Sequence, residues 1–116
     1  MTHRPWGYYE VLEDGPNYKV KKLVVYPAQK TSLQMHFHRV EHWVVVLGRA
    51  TVSLGDTHTK SIVNMYRNSG NRTYIKADQV HRLANDTTSD LVVIEVQIGV
   101  CDEDDIKRIE DLYGRA

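Results

Sequence analysis

Between residues 18 and 98 the chain repeats with a period of two, and that restricts its fold more than any other feature. Residues 18–26 are rich in aromatic and β-branched side chains and stop at Pro27. In residues 31–38, Leu33, Met35 and Phe37 fall on one face of a strand and Gln34, His36 and His38 on the other. Residues 41–47 form an apolar run closed by Gly48. Residues 50–54 follow, and Gly55-Asp56 marks a hairpin whose return strand covers residues 57–63. Residues 68–71 read as a loop, 73–75 and 80–84 as short strands, and 91–98 as the last and most apolar strand. A helix would repeat about every 3.6 residues, so the pattern predicts about nine short strands in a barrel or sandwich. Only the tail changes period. Asp102-Glu103-Asp104-Asp105, then Ile106, Ile109 and Leu112 at helical spacing and a stop at Gly114, predict a short C-terminal helix.

Composition bounds the functional classes. A length of 116 residues suits one domain, expected over residues 1–116. Lys plus Arg and Asp plus Glu each number 15, so the formal charge is zero. A polybasic nucleic-acid binder is excluded, and no nucleic-acid partner is expected. Cys101 is the single cysteine. It can form no intrachain disulfide and no paired-cysteine zinc site, and it points to a reducing, cytoplasmic setting. The longest apolar run, Trp43 to Leu47, is too short to cross a bilayer, and the first residues carry no apolar signal region, so no membrane role is expected.

The compositional oddity is six histidines, with His36, His38 and His42 inside seven residues. Gln34 and His36 share one strand face, and Glu41 opens the next strand after a short turn. A second segment runs from Gly70 through Lys76 and Asp78 to His81 and Asn85. Nitrogen and oxygen donors from adjacent strands can converge on one divalent cation. His38 shares the parity of His36 and rivals Gln34 as the fourth donor.

These two segments resemble the two motifs of the cupin superfamily. Glu41, six residues and Gly48 keep the spacing of the first. Gly70, Lys76, Asp78, His81 and Asn85 keep that of the second, with Lys and Asp where Pro and Gly are usual. The likeness narrows further: Arg4-Pro5-Trp6-Gly7, Ser32 to His36, Arg39 to Val46, Ile94 to Gln97 and Tyr113-Gly114-Arg115 resemble the type II mannose-6-phosphate isomerase domain. In that family the domain usually follows a mannose-1-phosphate guanylyltransferase domain. These residues contain no Gly-rich nucleotide loop.

The resemblance implies an all-β cupin (a double-stranded β-helix, or jelly-roll barrel). It implies one divalent metal, zinc, manganese, cobalt, nickel or iron, on Gln34, His36, Glu41 and His81. It implies catalytic roles for Lys21, Arg39 and His42, and substrate contacts from His38 and Arg115. The expected reaction is the interconversion of mannose 6-phosphate and fructose 6-phosphate on a sugar-phosphate substrate. The alternative is a non-catalytic sugar-phosphate-binding cupin that partners a separate guanylyltransferase. A homodimer is expected, with residues 4–12 pairing with a neighbour's sheet edge. Asp78 stands where the motif turn needs a permissive backbone, and Asp tolerates the left-handed region better than most residues.

Overall fold

The computed structural model describes residues 1–56, 58–59 and 61–110. Among them the chain forms twelve strands: β1 (Thr2–Arg4), β2 (Gly7–Asp14), β3 (Tyr18–Val25), β4 (Gln29–Lys30), β5 (Leu33–Met35), β6 (Arg39–Leu47), β7 (Arg49–Gly55), β8 (Ile62–Asn68), β9 (Arg72–Ile75), β10 (Val80–Asn85), β11 (Leu91–Gly99) and β12 (Lys107–Glu110). One sheet runs β1-β2-β3-β11-β6-β9. The other runs β12-β5-β10-β7-β8, with β4 also paired to β10. The all-β expectation holds, and the form is a cupin-like sandwich. Among the described residues no helix is long and apolar enough to cross a membrane.

The interior is divided along the strands. At one end Trp6, Leu23, Val25, Trp43, Val45, Val52, Ile75, Leu83, Leu91 and Val93 pack into an apolar core. Each such side chain contributes roughly 1.5–3 kcal/mol by leaving water. Toward the other end the same inward positions turn polar. On β3, Val25 and Leu23 give way to Lys21. On β6, Val45 and Trp43 give way to Glu41 and Arg39. On β11, Leu91 and Val93 give way to Glu95 and Gln97, and all these side chains are buried. The core thus forms the floor of a polar cavity between the sheets.

The tail departs from expectation. Residues 107–110 are a strand, with Lys107 opposite Met35 and Arg108 opposite Gln34. The acids before it do not open a helix. Asp105 accepts hydrogen bonds from the backbone N–H groups of Phe37 and His38, at 3.0 and 2.9 Å. An open edge at β5 offers this segment backbone partners, and pairing with it replaces helix formation. Leu112 and Gly114, on which the rest of the expected helix falls, lie outside the described residues.

The N-terminal segment also differs. β2 pairs with β3 of its own chain along its length, and β1 covers the outer edge of β2. The return strand after Gly55 begins at Ile62, because Asp56 Oδ1 accepts from the N–H groups of His58 and Thr59 and lengthens the turn. Asp78 takes φ 64°, the left-handed conformation expected of it, and its N–H donates to the His36 carbonyl at 2.8 Å.

Gly99 packs tightly against the chain beside the site. Its φ is +119°, and a Cβ there would lie 2.5 Å from the His38 carbonyl oxygen. Gly70, at φ +90°, would meet nothing within 4 Å. Gly99→Ala is expected to cost about 1–3 kcal/mol and to lower the melting temperature by roughly 3–15 °C. Gly70→Ala pays only the backbone strain and is expected to lose less. Thermal denaturation of both variants checks the ranking, and equal losses would contradict it.

Candidate metal centre

Three side chains converge where the sheets approach. Glu41 projects inward from β6. His81 projects from β10, directly opposite Gln34 of β5. His36 lies in the β5–β6 connection. One donor atom from each of His36, Glu41 and His81 lies within 4.8 Å of the others, and all three residues are buried. His36 Nε2 is 3.4 Å from one Glu41 oxygen and His81 Nε2 is 3.6 Å from the other.

Backbone carbonyls set both rings. His36 Nδ1 is 2.6 Å from the Asp105 carbonyl and His81 Nδ1 is 2.8 Å from that of Gln79. Each carbonyl accepts the Nδ1 proton, which leaves the Nε2 lone pair facing the carboxylate, the arrangement metal-binding histidines use. Burial pushes the His36 pKa down to about 3, helped by the positive charge of Arg39, and burial pushes His81 down to about 4. Both rings are therefore neutral at pH 7, as ligation requires. Among the described residues His81 Nε2 is buried without a hydrogen-bond partner. A buried orphan acceptor is costly, and a cation would satisfy it. This donor set fits one divalent ion.

Arg39 manages the buried charge. Its Nε donates to Glu41 at 3.0 Å and its Nη2 to His36 Nε2 at 3.0 Å. A cation and Arg39 Nη2 compete for the same lone pair on His36. Gln34 lines the cavity, and its Oε1 accepts from Ser32 Oγ at 2.7 Å.

Residues 1–111 match the family model described as mannose-6-phosphate isomerase C-terminal. The chain belongs to that family. It is 46% identical over 115 residues to alginate biosynthesis protein AlgA of Pseudomonas aeruginosa, covering 98% of this chain and 23% of that protein. It is 44% identical over 112 residues to a mannose-1-phosphate guanylyltransferase of Salmonella muenchen, covering 96% and 22%. The chain thus spans less than a quarter of these relatives' length. In shape it matches the capsular polysaccharide assembling protein CapF of Staphylococcus aureus, with a TM-score of 0.86 at 18% identity, over 95% of this chain and 34% of that one.

In this member of the mannose-6-phosphate isomerase C-terminal family, the residues expected at the site divide into three groups. Gln34, His36, Glu41, Lys21 and Arg39 line one cavity, and His81 touches it through Glu41. Lys21 is buried, donates from Nζ to Glu103 and sits 4.3 Å above the Tyr9 ring. His38 and His42 do not enter the cavity. The His38 side chain is 68% exposed beside Asp105. His42 points to the outer face of β6, as strand parity next to Glu41 requires, and packs 4.8 Å from Tyr74. Arg115 lies outside the described residues.

Two buried groups were missed by sequence reasoning. Glu95 accepts from Trp43 Nε1 at 3.0 Å and from Gln97 Nε2 at 2.6 Å. Burial first, and the charge of Glu41 second, raise its pKa to about 7. Gln97 Oε1 is buried without a hydrogen-bond partner among the described residues. The signal was present in β11, where an acid and an amide occupy inward positions of the most apolar strand.

These shifts set the pH dependence of stability when a chelator keeps metal away. Below pH 6.5 each histidine takes up a proton on unfolding, so both contribute stability that is present above pH 6.5 and lost on acidification. Glu95, raised from 4.5 to about 7, releases a proton on unfolding and opposes one of them. From pH 6 to 5 the two histidines outweigh Glu95, so a net loss of stability on acidification is predicted. In Glu95→Gln the loss is expected to steepen. Urea denaturation across this range checks both slopes, and a flat profile in both proteins would contradict the assignment.

Proposed function

We propose that residues 1–116 act as one cupin domain that interconverts mannose 6-phosphate and fructose 6-phosphate. One divalent metal is held by His36, Glu41 and His81, with Gln34 as the fourth donor. The observation that carries this reading is the pair of neutral imidazoles whose Nε2 atoms face one buried carboxylate, in a chain of this family. The donors are nitrogen and oxygen only, which suits zinc, manganese, cobalt, nickel or iron.

The reaction moves a proton between adjacent carbons and another between their oxygens. Lewis-acid polarisation of the sugar oxygens is the chemistry a bound divalent ion supplies. Arg39 pairs with Glu41 through its Nε and holds the carboxylate in place. Lys21 and Glu95 are the ionisable cavity groups outside the donor set that are placed to carry protons, and a carboxyl with pKa about 7 can hold or release one at neutral pH. Gln97 Oε1 is a ready acceptor for a sugar hydroxyl. Arg4, Lys21, Arg39 and Arg108 line the cavity against Glu41, Glu95 and Glu103, and this positive excess favours a phosphate. A cytoplasmic setting, where sugar phosphates are made and used, belongs to the same reading.

A binding module is the second reading, favoured by the relatives' much greater length and by a relative's name, mannose-1-phosphate guanylyltransferase. A coupled assay with mannose 6-phosphate, after stripping and reloading each of the five metals, separates the two. Turnover with at least one metal is expected. Folded protein that binds mannose 6-phosphate in a calorimeter but turns over with none of the metals supports the module instead.

His36→Ala and His81→Ala are expected to lose bound metal by elemental analysis, together with activity, while His38→Ala keeps both. Lys21→Met is expected to keep the metal and lower kcat roughly 10²–10⁴-fold. Loss of metal in His38→Ala with retention in Gln34→Ala would overturn the donor set.

A further inference from the structure

Between β11 and β12 the chain crosses the mouth of the cavity as a short strap, residues 100–106, and cations of the cavity wall hold it there. Lys19 Nζ donates to the Cys101 carbonyl at 3.2 Å, Arg39 Nη1 to the Asp102 carbonyl at 3.4 Å, and Lys21 Nζ to Glu103 Oε1. The first two contacts go to backbone. The third is an ion pair between side chains, and both of its members line the cavity.

The two members differ in freedom. The Lys21 side chain is 5% exposed and that of Glu103 52%. Lys21 cannot withdraw. It rises from β3, which is paired on both sides by β2 and β11, and its ammonium rests 4.3 Å above the Tyr9 ring. Glu103 stands on the strap with one flank in water, and rotation about its own side-chain bonds returns the carboxylate to solvent. A buried ammonium without an anion is costly, and the other cavity acids are engaged elsewhere. Glu41 accepts from Arg39. Glu95, opposite Lys21 on β11, accepts from Trp43 and Gln97 and is pushed toward its neutral form. Departure of Glu103 therefore leaves Lys21 in need of a new anion.

We propose that Glu103 is a displaceable stand-in for the anionic group of the ligand: it pairs with Lys21 until a phosphate monoester takes its place. A phosphate monoester carries about two negative charges and three strong acceptor oxygens. It outbids one carboxylate for Lys21, and Arg4 and Arg108 line the same cavity to receive its other oxygens. A neutral sugar has no charge to exchange for that of Glu103. The residue thus sets a preference for phosphorylated over unphosphorylated sugars. The proposal rests on the reading that the cavity receives a sugar phosphate, and it is independent of turnover.

Calorimetric titration of the full chain tests it, with inorganic phosphate and mannose as the two probes and with metal removed so that phosphate cannot ligate it. Glu103→Gln is expected to bind phosphate roughly tenfold more tightly than wild type and to bind mannose no better. Glu110→Gln, which removes an acid paired with Arg82, is expected to match wild type with both probes. In a Lys21→Met background Glu103→Gln is expected to bring no gain. Should the Lys21→Met proteins fail to fold, the comparison of Glu103→Gln with wild type still decides. Equal phosphate affinity in those two proteins, or no phosphate binding by either, overturns the proposal. So does a gain for mannose as large as that for phosphate, or a gain that persists without Lys21. Turnover enters none of these measurements, so an inactive isomerase that shows the expected binding overturns the catalytic reading and leaves this proposal standing.

Discussion

A carboxylate that is 2% exposed in the middle of a β-sandwich must be neutralised where it stands, and the arrangement around Glu41 is a response to that demand. Arg39 neutralises it from the same strand, two residues away and on the same face. Two imidazoles present lone pairs to it, an arrangement that makes chemical sense only around a positive charge. The effects spread outward. Asp105 must stay against the β5–β6 connection to orient His36. Gln79 must hold the turn that orients His81. Glu95, a second acid facing the same cavity, is pushed toward its neutral form. A hydrophobic isostere at Glu41 alone would leave the Arg39 guanidinium buried without its partner, and would destabilise the sandwich as well as abolish the site.

The same polarity has a counterpart on the other side of the sheet. A strand has two faces, and polar residues on the inward face of β6 and β11 remove the usual reason for the outward face to be polar as well. The apolar side chains that hold a sandwich together are displaced: some to the far end of the cavity floor, some to the outer surface. Buried polar groups and apolar groups on the outer face thereby alternate along the same two strands. A one-residue slip in either strand would exchange the two faces.

Much of this was legible in the sequence. The period of two gave the all-β class, and the spacings from Glu41 to Gly48 and from Gly70 to Asn85 located Glu41 and His81. Strand parity alone separates His42 from Glu41, and the structure places His42 on the outer face. Other features could not be read locally. The tail carries acids and apolar residues at helical spacing, yet its backbone pairs with β5, a strand more than seventy residues earlier. Asp102 to Asp105 look like the start of a helix because acids suit one, and nothing nearby in sequence shows that Asp105 will bind the amides of Phe37 and His38. His38 shares the parity of His36 in sequence, but the chain turns after His36, so its ring is left in solvent. Glu95 and Gln97 lie in a stretch that carries the family resemblance, but their place in the cavity depends on the strand beside them, where Gln97 lies opposite Glu41.

Anomalous diffraction from crystals grown with manganese or cobalt tests the central claim most directly. The account predicts one strong peak about 2.0–2.2 Å from His36 Nε2, His81 Nε2 and a Glu41 oxygen, with Arg39 Nη2 no longer in contact with His36. A peak elsewhere, or a centre where Arg39 still holds His36 Nε2 and no ion is bound at saturating metal, would contradict it.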